Sequence, residues 1–144
     1  MLNDDYMQIL KNTIDEFAAS DEGKEYKWLT QLQFAPDMLQ TLCRLSVVKA
    51  VKKKDKARIA GAVSYFVSPI DLIPESIHGA RGYADDVAIA AYVLSLVCEH
   101  SGEQTVNAYW ENETPLPEAI SLVLGAAPIM LAPEQWDDLK ALIS

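Results

Sequence analysis

The stretch Ser68-Pro69-Ile70-Asp71-Leu72-Ile73-Pro74-Glu75 constrains this chain more than any other. Two prolines bracket an aspartate in a segment that is otherwise apolar. Proline lacks an amide proton and disfavours helical geometry in the residue before it. A helix must therefore stop at Ser68-Pro69, turn, and restart against a buried surface. The acidic pair Asp85-Asp86 comes soon after, where a second apolar helical pattern opens. The elbow says much about architecture and little about chemistry.

Helical periodicity runs on both sides of it. The segment Lys56 to Val67 is apolar almost all round, and its small residues at 60–62 let neighbours approach closely. From Tyr83 to His100 the positions Val87, Ile89, Ala90, Val93, Leu94 and Val97 read as a buried helix, stopped by Ser101-Gly102. Upstream, residues 4–18 carry Met7, Leu10, Ile14 and Phe17 at helical spacing. Ser20-Asp21-Glu22-Gly23 breaks that helix, and a shorter one runs from about Lys24 to Gln33 with Trp28, Leu29 and Leu32 on one face. Pro36 suits the first turn of the next, which carries Leu39, Leu42, Cys43, Leu45 and Val48.

Downstream, a short helix over Glu103 to Asn112 turns Val106 and Trp110 inward. Thr114 to Pro117 reads as a linker into a helix from Glu118 to Gly125, which Gly125 and Pro128 break. A last helix, Glu134 to Ile143, presents Trp136, Leu139, Leu142 and Ile143, with Pro133 in its first turn. The three tryptophans are expected to anchor outer helices to the core. No segment alternates apolar and polar residues long enough for a strand. The expectation is an all-α bundle of about six to eight helices. It forms one domain over 1–144, with residues 56–98 as core and 1–55 and 103–144 packed upon it.

Charge narrows the function classes. The net charge is −9, yet six of the twelve basic residues lie between Lys49 and Arg58, opposed there only by Asp55. An acidic surface repels nucleic acid and anionic lipid in general, so nucleic acid is not expected as a partner. The longest uncharged runs, at 59–70, 87–98 and 119–133, fall short of the ~20 residues a spanning helix needs. A peripheral membrane contact through Lys52-Lys53-Lys54 is the minority alternative. The acidic start, Met1 to Asp5, is unlike a signal peptide, so a cytoplasmic location is expected. Cys43 and Cys98 sit in apolar helical patterns without ligand spacing and read as buried free thiols, although a disulfide between them stays open.

From Lys56 to Cys98 the chain resembles the YkvA-like family, small bacterial helical domains of unknown function. The resemblance rests on the small-residue helix, Ser68-Pro69-Ile70-Asp71-Leu72-Ile73-Pro74 with Glu75, Gly82-Tyr83, and Asp85-Asp86. His78 stands where the family usually has a third proline, Ser76 where it has a bulky apolar residue, and the connector before Gly82 is one residue longer. The resemblance implies a Pro-braced helical pair and, for relatives often described as membrane-associated, an apolar surface.

Asp71, Glu75, Asp85 and Asp86 form the one candidate chemical cluster. With His78 nearby they could hold a hard divalent cation. Helix termini recruit the same residues: Asp71 as a cap, Asp85 and Asp86 at the positive end of a helix dipole. Capping is the preferred reading, with Ser68, Pro69, Asp71, Pro74, Gly82, Asp85 and Asp86 as a structural motif. Neither a catalytic residue nor a cofactor is assigned, because no nucleophile elbow, zinc-protease, phosphate-loop or Cys-x-x-Cys pattern occurs. The leading expectation is a non-enzymatic helical interaction module, through a protein partner or self-association. The alternatives are an acidic inhibitor or immunity-type protein for a basic partner, a divalent-metal protein using the acidic quartet, and the peripheral membrane protein.

Overall fold

The computed structural model describes residues 4–67 and 83–143, and every regular element among them is helical. In chain order these are α1 (Asp4–Ala19), α2 (Asp21–Glu25), α3 (Leu29–Leu32), α4 (Ala35–Leu45), α5 (Lys53–Val67), α6 (Ala84–Ser101), α7 (Glu103–Asn107), α8 (Leu116–Met130) and α9 (Pro133–Ile143). The elements α2, α3 and α7 are single turns; the other six are the bundle.

Helix α6 is its axis. Every residue from Ala84 to Ala91 is buried, as are Val93, Leu94 and Val97. A helix apolar on all sides must be covered on all sides, and α4, α5, α7 and α8 all pack on α6. Helix α9 closes against α5, α6 and α8, and α1 lies on α2 and α4. Small residues set the closest approach: a Cβ on Gly61 would stand 3.0 Å from Cδ1 of Ile143, where α9 meets α5. Trp136 is buried edge-on to Tyr92, and Trp110 is buried with its indole Nε1 donating to the Thr114 carbonyl at 2.8 Å. Trp28 is only half-buried, beneath the Lys27 ammonium, and anchors less than expected.

Four local expectations are corrected. The segment Ser20 to Gly23 restarts a helix as well as ending one: the Ser20 hydroxyl accepts from the Gly23 amide at 3.0 Å and donates to the Phe17 carbonyl at 2.6 Å. A Cβ on Gly23 would fall 1.7 Å from the Phe17 carbonyl oxygen, so only glycine fits. The helix expected over 24–33 is divided into α2 and α3, because Tyr26 takes an extended backbone that ends α2. The helix expected over 103–112 ends at Asn107, and its continuation is tied to α4 by hydrogen bonds from Arg44 Nη1 to the Tyr109 carbonyl and from Asn112 Nδ2 to Asp37 Oδ2.

The third correction is α8, which begins at Leu116 and runs through both Gly125 and Pro128 to Met130. Burial of Ala119, Ile120, Val123, Ala126 and Ala127 outweighs the glycine penalty and the amide that Pro128 lacks. The helix still closes beyond it, with Leu131 N donating to the Ala127 carbonyl at 2.9 Å. Fourth, Leu142 faces outward with 75% exposure, whereas Leu139 is buried.

Candidate functional site

The two apolar helices α5 and α6 pack on one another. Asp85 and Asp86 lie in the first turn of α6 and both are completely buried. Asp85 Oδ1 accepts from the Asp86 amide at 2.9 Å, and Oδ2 accepts from the Tyr65 hydroxyl, near the end of α5, at 3.1 Å. This carboxylate therefore ties the first turn of α6 to the last turn of α5. Tyr83, at the N-cap position, makes no side-chain cap. The remaining motif residues, Ser68, Pro69, Asp71, Pro74, Glu75, His78, Arg81 and Gly82, lie outside the described residues. Among the described residues no group of three or more His, Cys, Asp or Glu side chains is placed to hold a metal ion.

A second buried polar cluster joins the opposite ends of the same helices. Asp55, in the first turn of α5, is 1% exposed. Its Oδ1 accepts from Arg58 Nη1 at 2.8 Å and faces Nδ1 of His100, in the last turn of α6, at 2.9 Å. A carboxylate only accepts, so His100 donates from Nδ1. Asp55 Oδ2 and Arg58 Nε are buried without a hydrogen-bond partner among the described residues. In the sequence Asp55 is the single acid in a basic run and His100 marks only the end of a helical pattern. The pair stands 45 positions apart, and no local spacing signals it.

Cys43 and Cys98 form no disulfide with one another, and both are half-buried. Burial, and after it the Glu103 carboxylate, pushes the Cys98 thiol up to about 11. A thiol so shifted is a poor nucleophile at neutral pH.

The surface offers two further features. The outward face of α8 exposes Ser121, Leu122, Gly125, Pro128 and Ile129, at helical spacing. Leu122 is 37% and Ile129 66% exposed, and a Cβ on Gly125 would meet nothing within 4 Å. The helix contains one charged residue, Glu118. At the α4–α5 corner an open groove of about 580 Å³ is lined by Arg44, Val47, Val48, Lys49, Tyr109 and neighbours, with Val47 80% exposed. Arg44 is held there by Glu111 at 3.0 Å. No described helix is long and apolar enough to cross a membrane.

Comparisons place this geometry beside proteins that are themselves uncharacterised. Residues 55–92 match the family described as a protein of unknown function, DUF1232. That interval begins at Asp55 and contains the elbow with Asp85 and Asp86. The chain is also 31% identical over 85 residues to an uncharacterised protein, ORF9, of Methanothermobacter thermautotrophicus. The match covers 59% of this chain and spans 58% of the relative's length. No solved structure matches.

Proposed function

We propose that this protein is a non-enzymatic helical interaction module of the YkvA-like type, which pairs with a second copy of itself through the outer face of α8. The outward stripe Leu122–Gly125–Ile129 carries this reading. Leu122 and Ile129 are one face of the helix, about 10 Å apart along its axis. Gly125 lies between them, with open space where a side chain would stand. A mid-helix glycine costs roughly 0.5–1 kcal/mol relative to alanine. Among the described residues no neighbouring atom requires it, whereas a second helix approaching closely would. Like copies carrying −9 each repel at most surfaces. This face, almost devoid of charge, is where that repulsion is least.

The YkvA-like assignment is supported by the elbow heptapeptide and by the family match over 55–92. A non-enzymatic role is supported by the buried polar clusters. Asp85 with Tyr65, and Asp55 with Arg58 and His100, each have bonding roles between α5 and α6. Sedimentation equilibrium tests the proposal. The expected result is a dimer for the native chain and a monomer with an unchanged circular-dichroism spectrum for Leu122→Glu/Ile129→Glu. A native chain that stays monomeric at high micromolar concentration, or a double variant that still dimerises, would refute it.

A further inference from the structure

A separate surface points to a different partner. Lys49, Lys52, Lys53 and Lys54 are all exposed around the start of α5, and none forms an ion pair with a described residue. The acid that opposes them in sequence, Asp55, is withdrawn into the core and occupied by Arg58 and His100. With Asp55 and Arg58 paired in the core, the exposed charge of the patch is lysine alone. Its position also runs against helix stability. The first turn of a helix carries the positive end of the dipole and favours acids, yet α5 opens with Lys53-Lys54 directly after Lys52. These lysines weaken the helix they begin, so their value lies outside it. Beside them the turn after α4 carries Val47, 80% exposed.

We infer that this corner docks on an anionic membrane surface, with the four lysines over lipid headgroups and Val47 entering the interface. The chemistry of the cations favours lipid over other anions. Pockets for phosphorylated or carboxylate groups rely on the planar, bidentate guanidinium. Both arginines of this region are committed, Arg44 to Glu111 and Arg58 to Asp55, which leaves only lysine point charges. Such exposed charges suit a diffuse sheet of negative charge that demands no fixed geometry. Acidic residues elsewhere on the molecule weigh little on contact, because beyond about 8–10 Å their repulsion is screened at physiological salt.

Flotation of the full chain with phosphatidylcholine vesicles containing about 30% phosphatidylglycerol tests this. The protein is expected to float with these vesicles at about 0.1 M salt, to leave them at about 0.5 M, and to ignore pure phosphatidylcholine. Each lysine is worth about a fivefold gain in partitioning, so Lys52→Gln/Lys53→Gln/Lys54→Gln should bind on the order of a hundredfold more weakly. Val47→Asp, at an exposed turn, should weaken flotation without changing the melting curve. Absence of flotation with anionic vesicles would overturn the inference, as would a triple variant that floats like the native chain. Binding to an acidic peptide or an oligonucleotide while the vesicles are ignored would overturn it as well.

Discussion

At the scale of single residues, the most demanding position is Asp55. A fully buried carboxylate is stable only while its partners stay in place. Asp55→Ala is therefore expected to lower stability by about 3 kcal/mol in urea denaturation, since it strands the largely buried Arg58 guanidinium. In that background Arg58→Ala should cost less than it does alone, the sign of a coupled pair. Additive losses would show that the three groups act separately. His100 is a third exposed, and its loss should matter less.

Cys98 makes a prediction of opposite character. Its thiol is displaced from 9.0 up to about 11, by burial first and by Glu103 second. On raising pH the unfolded chain loses this proton before the folded one. Stability from this group is thus intact below about 9 and falls as pH climbs toward about 11. Denaturation at stepped pH should show that loss in the native chain and a smaller one in Cys98→Ala. Alkylation at pH 8 should modify Cys98 roughly a hundredfold more slowly than an unhindered thiol of ordinary acidity.

Among elements, α8 departs furthest from its local preferences. Glycine and an internal proline argue for a short helix, yet six buried side chains hold it for 15 residues. Gly125→Ala separates the two roles of that face. It should raise the stability of the monomeric Leu122→Glu/Ile129→Glu form by roughly 0.5–1 kcal/mol, because alanine is the better helix former and meets nothing there. In the native background the same change should weaken dimerisation, by obstructing the closest approach. A substitution that left both quantities unmoved would remove Gly125 from the argument. Its counterpart inside the fold is Gly61, where α9 already occupies the space a side chain would need.

For the whole molecule, the governing feature is the separation of charge from apolar surface. A chain of net −9 gathers half its bases at one corner and leaves one helix face almost uncharged. The proposed homodimer and membrane contacts use different surfaces, so variants of one should leave the other intact. Much of this organisation was legible in the residues themselves. The central position of α6 and the bounds of α1 and α9 follow from 3.6-residue periodicity, a local property, whereas α5 starts at Lys53 and not at the expected Lys56. The division of 24–33 was not legible, because Tyr26 ends α2 in an extended backbone with its ring edge-on to Phe17 of α1.

By itself, then, the order of amino acids determined that this chain is helical and which of its helices lies innermost, since these depend on interactions between near neighbours. Only the tertiary structure decided that Asp55, Arg58 and His100 share one buried site, that Asp55 is removed from the cationic corner, and that Leu122 and Ile129 stay in solvent while Leu116 and Val123 do not. Each of those outcomes is a contest for burial among helices distant in sequence. Packing resolves it, and no single helix carries the answer.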